Sequence, residues 1–488
     1  MHKLSGLDAS FLYLESPETP MHIAGLSICE MPPGHSGNPY EEYRAQLASR
    51  LHEIPSFHRR LAPTPFGIDH PYWVNADEVD FDYHVRHAAL PKPGTPAQLR
   101  ALVERLHSQP LDRSRPLWQF HVIEGLETGH FALYTKMHHA CLDGGGGIMA
   151  MDILSDSEPT PRPPLPHPTV KMQTREPGVF EMIGSAYGHF MQQGLRMLQA
   201  APSAVNAIFE TLKLTANGQG WSADDLQAAP RTRFNTRIGA QRALGYASIP
   251  VSEAKAVGKA FGATINDVVM AISGGALRAY LERHGELPEK SLVAAVPVSL
   301  REVGNTDNSN QVTSVLARIG THIADPVERI EFVRGAMARE KVKLGAVKDV
   351  IPQDFAFFGA PLMATALAWA MGKTSAVEKL PAPMNVTISN VPAGRKHVYF
   401  AGAKVVAYFP VSIPTHGCAL NITLHGYVDR LDFGLTACRK AVPDVQDIAD
   451  GMLAEFARLK AAAAAGAKPA ETPAPKPAAK PRRAKAAA

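Results

Sequence analysis

The 488-residue chain is 45% hydrophobic and 20% charged, enough apolar material and length for two or three domains with sizeable cores, which excludes a disordered or collagen-like polymer. Its formal charge is +4, but residues 460–488 alone carry a surplus of six positive charges, so the body is nearly neutral and lacks the basic face that nucleic-acid binding needs. The four cysteines, Cys29, Cys141, Cys418 and Cys438, show no C-x-x-C spacing, which argues against a zinc or redox pair and fits reduced thiols in a cytosolic compartment.

Asp8 and Glu15 interrupt any apolar run beginning at Leu4, so no signal peptide is expected. Residues 1–157 alternate short apolar runs, turn signals and helical stretches, the pattern of a first α/β domain. Within it LWQFHVI reads as an apolar strand with Trp118 in the core. Residues 131–139 alternate, which places Phe131, Leu133, Thr135, Met137 and His139 on one strand face and His138 on the other. Asp143 and Gly144 open a glycine-rich turn before a helix expected near Ile148.

Five prolines in PTPRPPLP begin a linker and crossover segment, 158–230. In it Val179, Met182, Ile183, Ala186, Tyr187, Phe190, Met191, Leu195 and Leu198 recur at helical spacing, a stripe read as a packing face. The second domain, 231–459, holds a long helix at TINDVVMAISGGALRAYL and strands at SLVAAVPVSL, MNVTISNV and LNITLHGYV. FAFFGAPLMATALAWAMG, residues 355–372, has no charge. Gly359 and Pro361 weaken it as a bilayer span, leaving a buried helix that walls a tunnel or an interfacial patch. Tyr408, Pro410 and Pro414 mark a proline-bearing loop that lines an apolar channel or only shapes the chain. Residues 460–488, rich in Ala, Pro and Lys, read as a disordered tail.

His138, His139 and Asp143 admit four readings. A metal site has the right ligand types, but neighbouring strand histidines diverge. A phosphate loop lacks the G-K-[ST] ending. Two hydrogen-bonded structural histidines beside a turn are the plain alternative. A general base is favoured, because an imidazole with a pKa near ~6.5 takes a proton from a hydroxyl at neutral pH. No G-x-S-x-G elbow accompanies it, so direct attack by a bound acceptor is the simpler scheme.

His138-His139-Ala140-Cys141-Leu142-Asp143-Gly144 resembles the HHxxxDG signature of acyl-CoA-dependent acyltransferases, which include chloramphenicol acetyltransferase and peptide condensation domains. LSGLDASFLYLESPETPMHIAGL, Pro116-Leu117-Trp118, Gly262 to Val269 with Asn266-Asp267, and Ser389-Asn390-Val391-Pro392 narrow the likeness to the bacterial wax ester synthase/diacylglycerol acyltransferase family. The likeness runs from about residue 4 to 445 in the same order. One departure is that Ala393 precedes Gly394 after SNVP, where the family has glycine directly, and the tail has no counterpart.

The resemblance implies an α/β fold of two chloramphenicol-acetyltransferase-like domains with a tunnel and active site at their interface. It implies transfer of a fatty acyl group from acyl-CoA to a long-chain alcohol or diacylglycerol. The alternatives are another lipid or polyketide alcohol as acceptor, or a non-catalytic lipid-binding relative. His139 is the implied base, with His138 supporting it. Asp143 is structural, its ion-pair partner being Arg60 or Arg301. Asn266 is an acceptor or oxyanion contact, and Asp267 either binds substrate or caps its helix. Gly144, Ser389 and Asn390 are further substrate contacts. No metal or cofactor is expected, acyl-CoA being a substrate. A cytoplasmic protein touching the inner membrane face or lipid bodies is expected, with no nucleic acid.

Overall fold

The computed structural model describes residues 2–141, 146–166, 178–189, 191–192, 213, 215, 217, 227–299, 312–347, 360–391, 394 and 396–466. In chain order its strands are β1 (His2–Lys3), β2 (His22–Glu30), β3 (Arg59–Ala62), β4 (Tyr72–Asn75), β5 (Val85–Ala89), β6 (Trp118–Glu124), β7 (Phe131–His138), β8 (Arg242–Pro250), β9 (Val293–Ser299), β10 (Val312–Arg318), β11 (Val386–Val391), β12 (Tyr399–Phe400), β13 (Ala403–Val411), β14 (Leu420–Tyr427) and β15 (Arg430–Cys438). They form a small sheet of order β1-β4-β3 and two six-stranded sheets, β12-β13-β2-β7-β6-β5 and β10-β9-β11-β14-β15-β8. The expected strands at 291–300, 384–391 and 420–428 are β9, β11 and β14, and Trp118 opens β6 in the core.

The first large sheet is covered on both faces. Phe131, Leu133 and Met137 of β7 pack with Tyr43 and Leu47 of the Pro39–Arg50 helix. Ala132 and Tyr134 pack on the other side with Leu99 and Val103 of the Pro96–His107 helix. All eight residues of β7 are therefore buried, and the alternation of 131–139 is not a buried face set against a wet one. The strand also ends one residue sooner than its pattern predicts. His139 begins a short 3-10 turn, His139–Cys141, so it does not continue the face of Met137.

The second sheet packs against the Ile265–Arg283 and Val445–Ala464 helices around Val268, Ile272, Ile422, Phe433, Ile448 and Met452. The alanines after Lys460 extend the second of these helices to Ala464, so residues 460–464 are helix where a tail was expected. Residues 467–488 lie outside the described residues.

Although β12 and β13 come from the C-terminal half, they complete the first sheet, where β13 pairs with β2. The segment read as a proline-bearing loop is thus mostly strand. Its open edge lies on β15 of the other sheet. Tyr408 N–H donates to Asp432 Oδ2 at 2.9 Å, and Ser412 N–H to Thr436 Oγ1 at 3.0 Å. Between them stands Pro410, which has no N–H to satisfy, opposite Gly434, which has no side chain to offer. A Cβ on Gly434 would sit 1.7 Å from the Pro410 carbonyl oxygen. The i, i+2 rows 408-410-412 and 432-434-436 hence fit one another, and a buried strand edge is satisfied without a ladder.

Of the helical stripe in the crossover, Met182 and Ala186 are buried whereas Val179, Ile183, Tyr187 and Met191 are exposed, and Phe190, Leu195 and Leu198 lie outside the described residues. Met182 packs on Ala62, Tyr72 and Val74 of the small sheet. The Ala360–Lys373 helix is not buried either: Met363, Leu367 and Trp369 are each more than half exposed. Among the described residues no single helix is long and apolar enough to cross a membrane, while the bent pair Val251–Ala260 and Ile265–Arg283 passes by length and composition. Its second helix belongs to the core of the second sheet.

Candidate active site

The two adjacent histidines sit where β7 ends, and their backbone is held from both sides. His138 N–H donates to the Leu117 carbonyl and His139 N–H to the Met21 carbonyl, both at 2.9 Å. The PLW stretch therefore serves the site through the Leu117 carbonyl, while Trp118 is core. Its ring lies between Phe57 and His84, and its Nε1–H donates to the Phe57 carbonyl at 3.0 Å.

His138 is fully buried. Its Nδ1 accepts the Ala140 N–H at 3.1 Å, and its Nε2 faces Glu15 Oε1 at 3.4 Å. His139 is half-buried and lies face to face with Phe11, ring centroids 3.8 Å apart. Desolvation pulls the His139 imidazole down to about 4, and the nearby His138 acts in the same direction. The His139 carbonyl partly offsets this, although Nδ1 makes no hydrogen bond of proper geometry. At neutral pH the ring is unprotonated and able to accept a proton.

Sequence reasoning used Glu15 only as a break in an apolar run. It is in fact a buried carboxylate behind the histidines, accepting the Met21 N–H at 3.0 Å and the Arg113 Nε–H at 2.7 Å. Burial alone would raise its pKa. The facing His138 ring, the Arg113 guanidinium and the Met21 N–H outweigh that and hold it low. The signal that could have found it is the spacing of Phe11 and Glu15, i and i+4 at the end of the Gly6–Leu14 helix, which puts both on one face.

Asp143, Gly144 and Arg301 lie outside the described residues, and Arg60 is on β3. Asp267 is buried in a capping box. It accepts the Thr264 N–H at 2.8 Å and returns its own N–H to Thr264 Oγ1 at 3.2 Å, so helix capping accounts for it. Its neighbour Asn266 is half-buried at the same helix start, and its amide has no hydrogen-bond partner among the described residues. Ser389 stands beside Thr423 in the β11–β14 register, in a polar row with Thr387 and Asn421, while Asn390 is exposed at the strand end. Among the described residues, none of Asn266, Asp267, Ser389 and Asn390 hydrogen-bonds to His138 or His139. Among the described residues no group of three His, Cys, Asp or Glu side chains could hold a metal ion.

A cavity of about 420 Å³ lies at the seam of the two halves. Leu14, Thr19 and Met21 line it from one side, and Asn235, Met384 and His416 from the other. Ala368 and Met371 of the Ala360–Lys373 helix form part of its wall. Met21 connects this space to the histidines, because its carbonyl holds the His139 N–H. A larger cavity of about 810 Å³, between residues 152–163 and 394–398, contains none of the predicted site residues.

Residues 4–269 match the model of the wax ester synthase/diacylglycerol acyltransferase catalytic domain, and residues 308–460 match that of the C-terminal domain of the same family. A Mycobacterium tuberculosis protein named as a probable diacylglycerol O-acyltransferase is 36% identical over 450 residues, 90% of this chain and 94% of that protein. A second protein of that organism with a name of the same class is 38% identical over 455 residues, 91% of this chain and 96% of its own. The structure of a wax ester synthase/diacylglycerol acyltransferase from Marinobacter aquaeolei VT8 is similar at a TM-score of 0.67 with 30% identity, covering 95% of this chain and all of that one. The first condensation domain of the CDA synthetase, at 17% identity and a TM-score of 0.52, shares the fold. The chain belongs to the wax ester synthase/diacylglycerol acyltransferase family.

Proposed function

We propose that the chain transfers a fatty acyl group from acyl-CoA to the hydroxyl of a lipid alcohol, either a long-chain alcohol or diacylglycerol, with His139 as the general base. The observation that carries this reading is the His139 ring stacked on Phe11 at a strand end, its backbone N–H held by the carbonyl of Met21, which lines the cavity of about 420 Å³ at the seam of the two halves. His139 takes the acceptor's hydroxyl proton, and the acceptor oxygen attacks the thioester carbonyl. The C–S bond then breaks, and His139 returns its proton to the CoA thiolate. A low pKa makes the protonated ring a ready acid for that last step. Asn266, whose amide has no hydrogen-bond partner among the described residues, suits the developing oxyanion or the acceptor. The scheme needs no metal or cofactor and no acyl-enzyme. Cys141 is buried, with its Sγ against the Leu117 carbonyl.

The exposed apolar side chains of the Ala360–Lys373 helix, on the helix whose Ala368 and Met371 line the cavity, support entry of lipid acceptors from a membrane or lipid-body surface. The test is free-thiol release from a long-chain acyl-CoA with hexadecanol, with diacylglycerol and without acceptor. Acceptor-dependent release with initial-rate patterns of a ternary complex is expected. Acceptor-independent release, or an acyl adduct on the protein, would refute the scheme.

A further inference from the structure

The segment from Phe11 to Met21 grips the histidine pair at three points. Phe11 stacks on the His139 ring, the Met21 carbonyl holds the His139 N–H, and Glu15 faces His138. Glu15 joins these contacts. Its Oε1 accepts the N–H of the same Met21 whose carbonyl holds His139, and its Oε2 takes Arg113 Nη2 at 2.6 Å. Arg113 in turn donates to the Leu12 carbonyl at 2.7 Å, tying the carboxylate to its own helix.

The His138 ring admits one neutral form in this setting. Because Ala140 N–H donates to Nδ1, that nitrogen carries a lone pair, and the ring proton is on Nε2. Nε2 is buried and makes no hydrogen bond of proper geometry, and Glu15 Oε1 is the carboxylate oxygen that faces it, at 3.4 Å. With the proton on Nδ1 instead, two N–H groups would oppose one another at the first peptide of the turn that presents His139. We propose that Glu15 is a positioning residue, holding His138 as its Nε2–H tautomer and thereby fixing the His139–Cys141 turn and the direction of the base. This rests on the reading of His139 as the base. Glu15 does not itself line the cavity and makes no hydrogen bond to the His139 ring, so its effect passes through His138 and Met21. An anchor for Arg113 alone would have no bearing on the His138 proton.

The test combines ring-¹⁵N NMR of histidine-labelled full-length protein with steady-state kinetics. In the wild type Nδ1 of His138 is expected to carry the lone pair and Nε2 the ring proton. Glu15→Gln leaves an acceptor oxygen, and Arg113, 44% exposed, can turn to water. That variant should keep the tautomer and a kcat within about threefold. Glu15→Leu should lose the Nε2–H signature and about 10²-fold in kcat, the usual cost of a misplaced reacting group, with KM for acyl-CoA changed less than about threefold. A wild-type His138 protonated on Nδ1, or wild-type kcat in a folded Glu15→Leu variant, would overturn the proposal. Should Glu15→Leu not fold, the wild-type and Glu15→Gln spectra decide. The same His138 signature is expected in His139→Ala, whose activity tests the base separately.

Discussion

Phe11 and His139 lie nearly parallel, 15° between their planes with centroids 3.8 Å apart, so the first helix of the chain sets the plane of the ring read as the base. Such stacking is worth about 0.5–1.5 kcal/mol, which corresponds to a factor of roughly 2 to 10 in rate when the contact orients a reacting group. Phe11→Ala is accordingly expected to lower kcat by up to about tenfold, and Phe11→Tyr to restore most of it. Equal kcat in all three proteins would show that the ring is oriented by other contacts.

Acid should unfold this protein early. His107 and His121 are pulled down to about 3, and His425 to about 4, by desolvation first. His22 is lowered for the same principal reason. In the unfolded chain these rings titrate near ~6.5. Between that value and the folded ones the unfolded state binds more protons, so stability falls as pH falls through this window and is regained as pH rises above ~6.5. A melting temperature unchanged from pH 7 to 5 would contradict the burial of these neutral rings.

The joint between the sheets depends on the bare Cα of Gly434. Gly434→Ala places a methyl group against the Pro410 carbonyl, where only backbone movement relieves the clash. A loss of about 3 kcal/mol or more in denaturant unfolding is expected. Thr436→Val, which removes the acceptor of the Ser412 N–H but keeps the shape, should cost about 1–3 kcal/mol. A neutral Gly434→Ala would mean that β13 does not rest on β15.

Surface attachment is expected to depend on the Ala360–Lys373 helix. Replacing Met363, Leu367 and Trp369 by serine should reduce flotation with anionic liposomes at any salt concentration, since the lost contact is apolar. Deleting residues 467–488 should weaken flotation mainly at low salt, because those residues carry basic charge. If the wild-type protein does not float under either condition, the exposed apolar helix has another use.

Local patterns made much of this legible. The long helix that opens after Thr264 and the β-branched runs of β9, β11 and β14 each follow from residues close together in sequence. What escaped depends on distant partners. The pairing of β13 with β2 joins residues nearly 400 positions apart, and the prolines that suggested a loop are tolerated because Pro410 faces the open strand edge. Alternation could not locate the end of β7, since helices bury both of its faces. Asp267 could be read either as cap or as contact until its bonds to Thr264 were seen. Glu15 is in the sequence only a break in an apolar run, and its place against His138 comes from the fold.

The most direct test of His139 as the base is acyl transfer by His139→Ala, measured as CoA release with saturating acceptor in protein whose circular dichroism and melting match the wild type. A loss of about 10²- to 10⁴-fold is expected, the usual worth of a positioned general base. Turnover within a few-fold of wild type in the folded variant would contradict the assignment and leave His139 a structural residue.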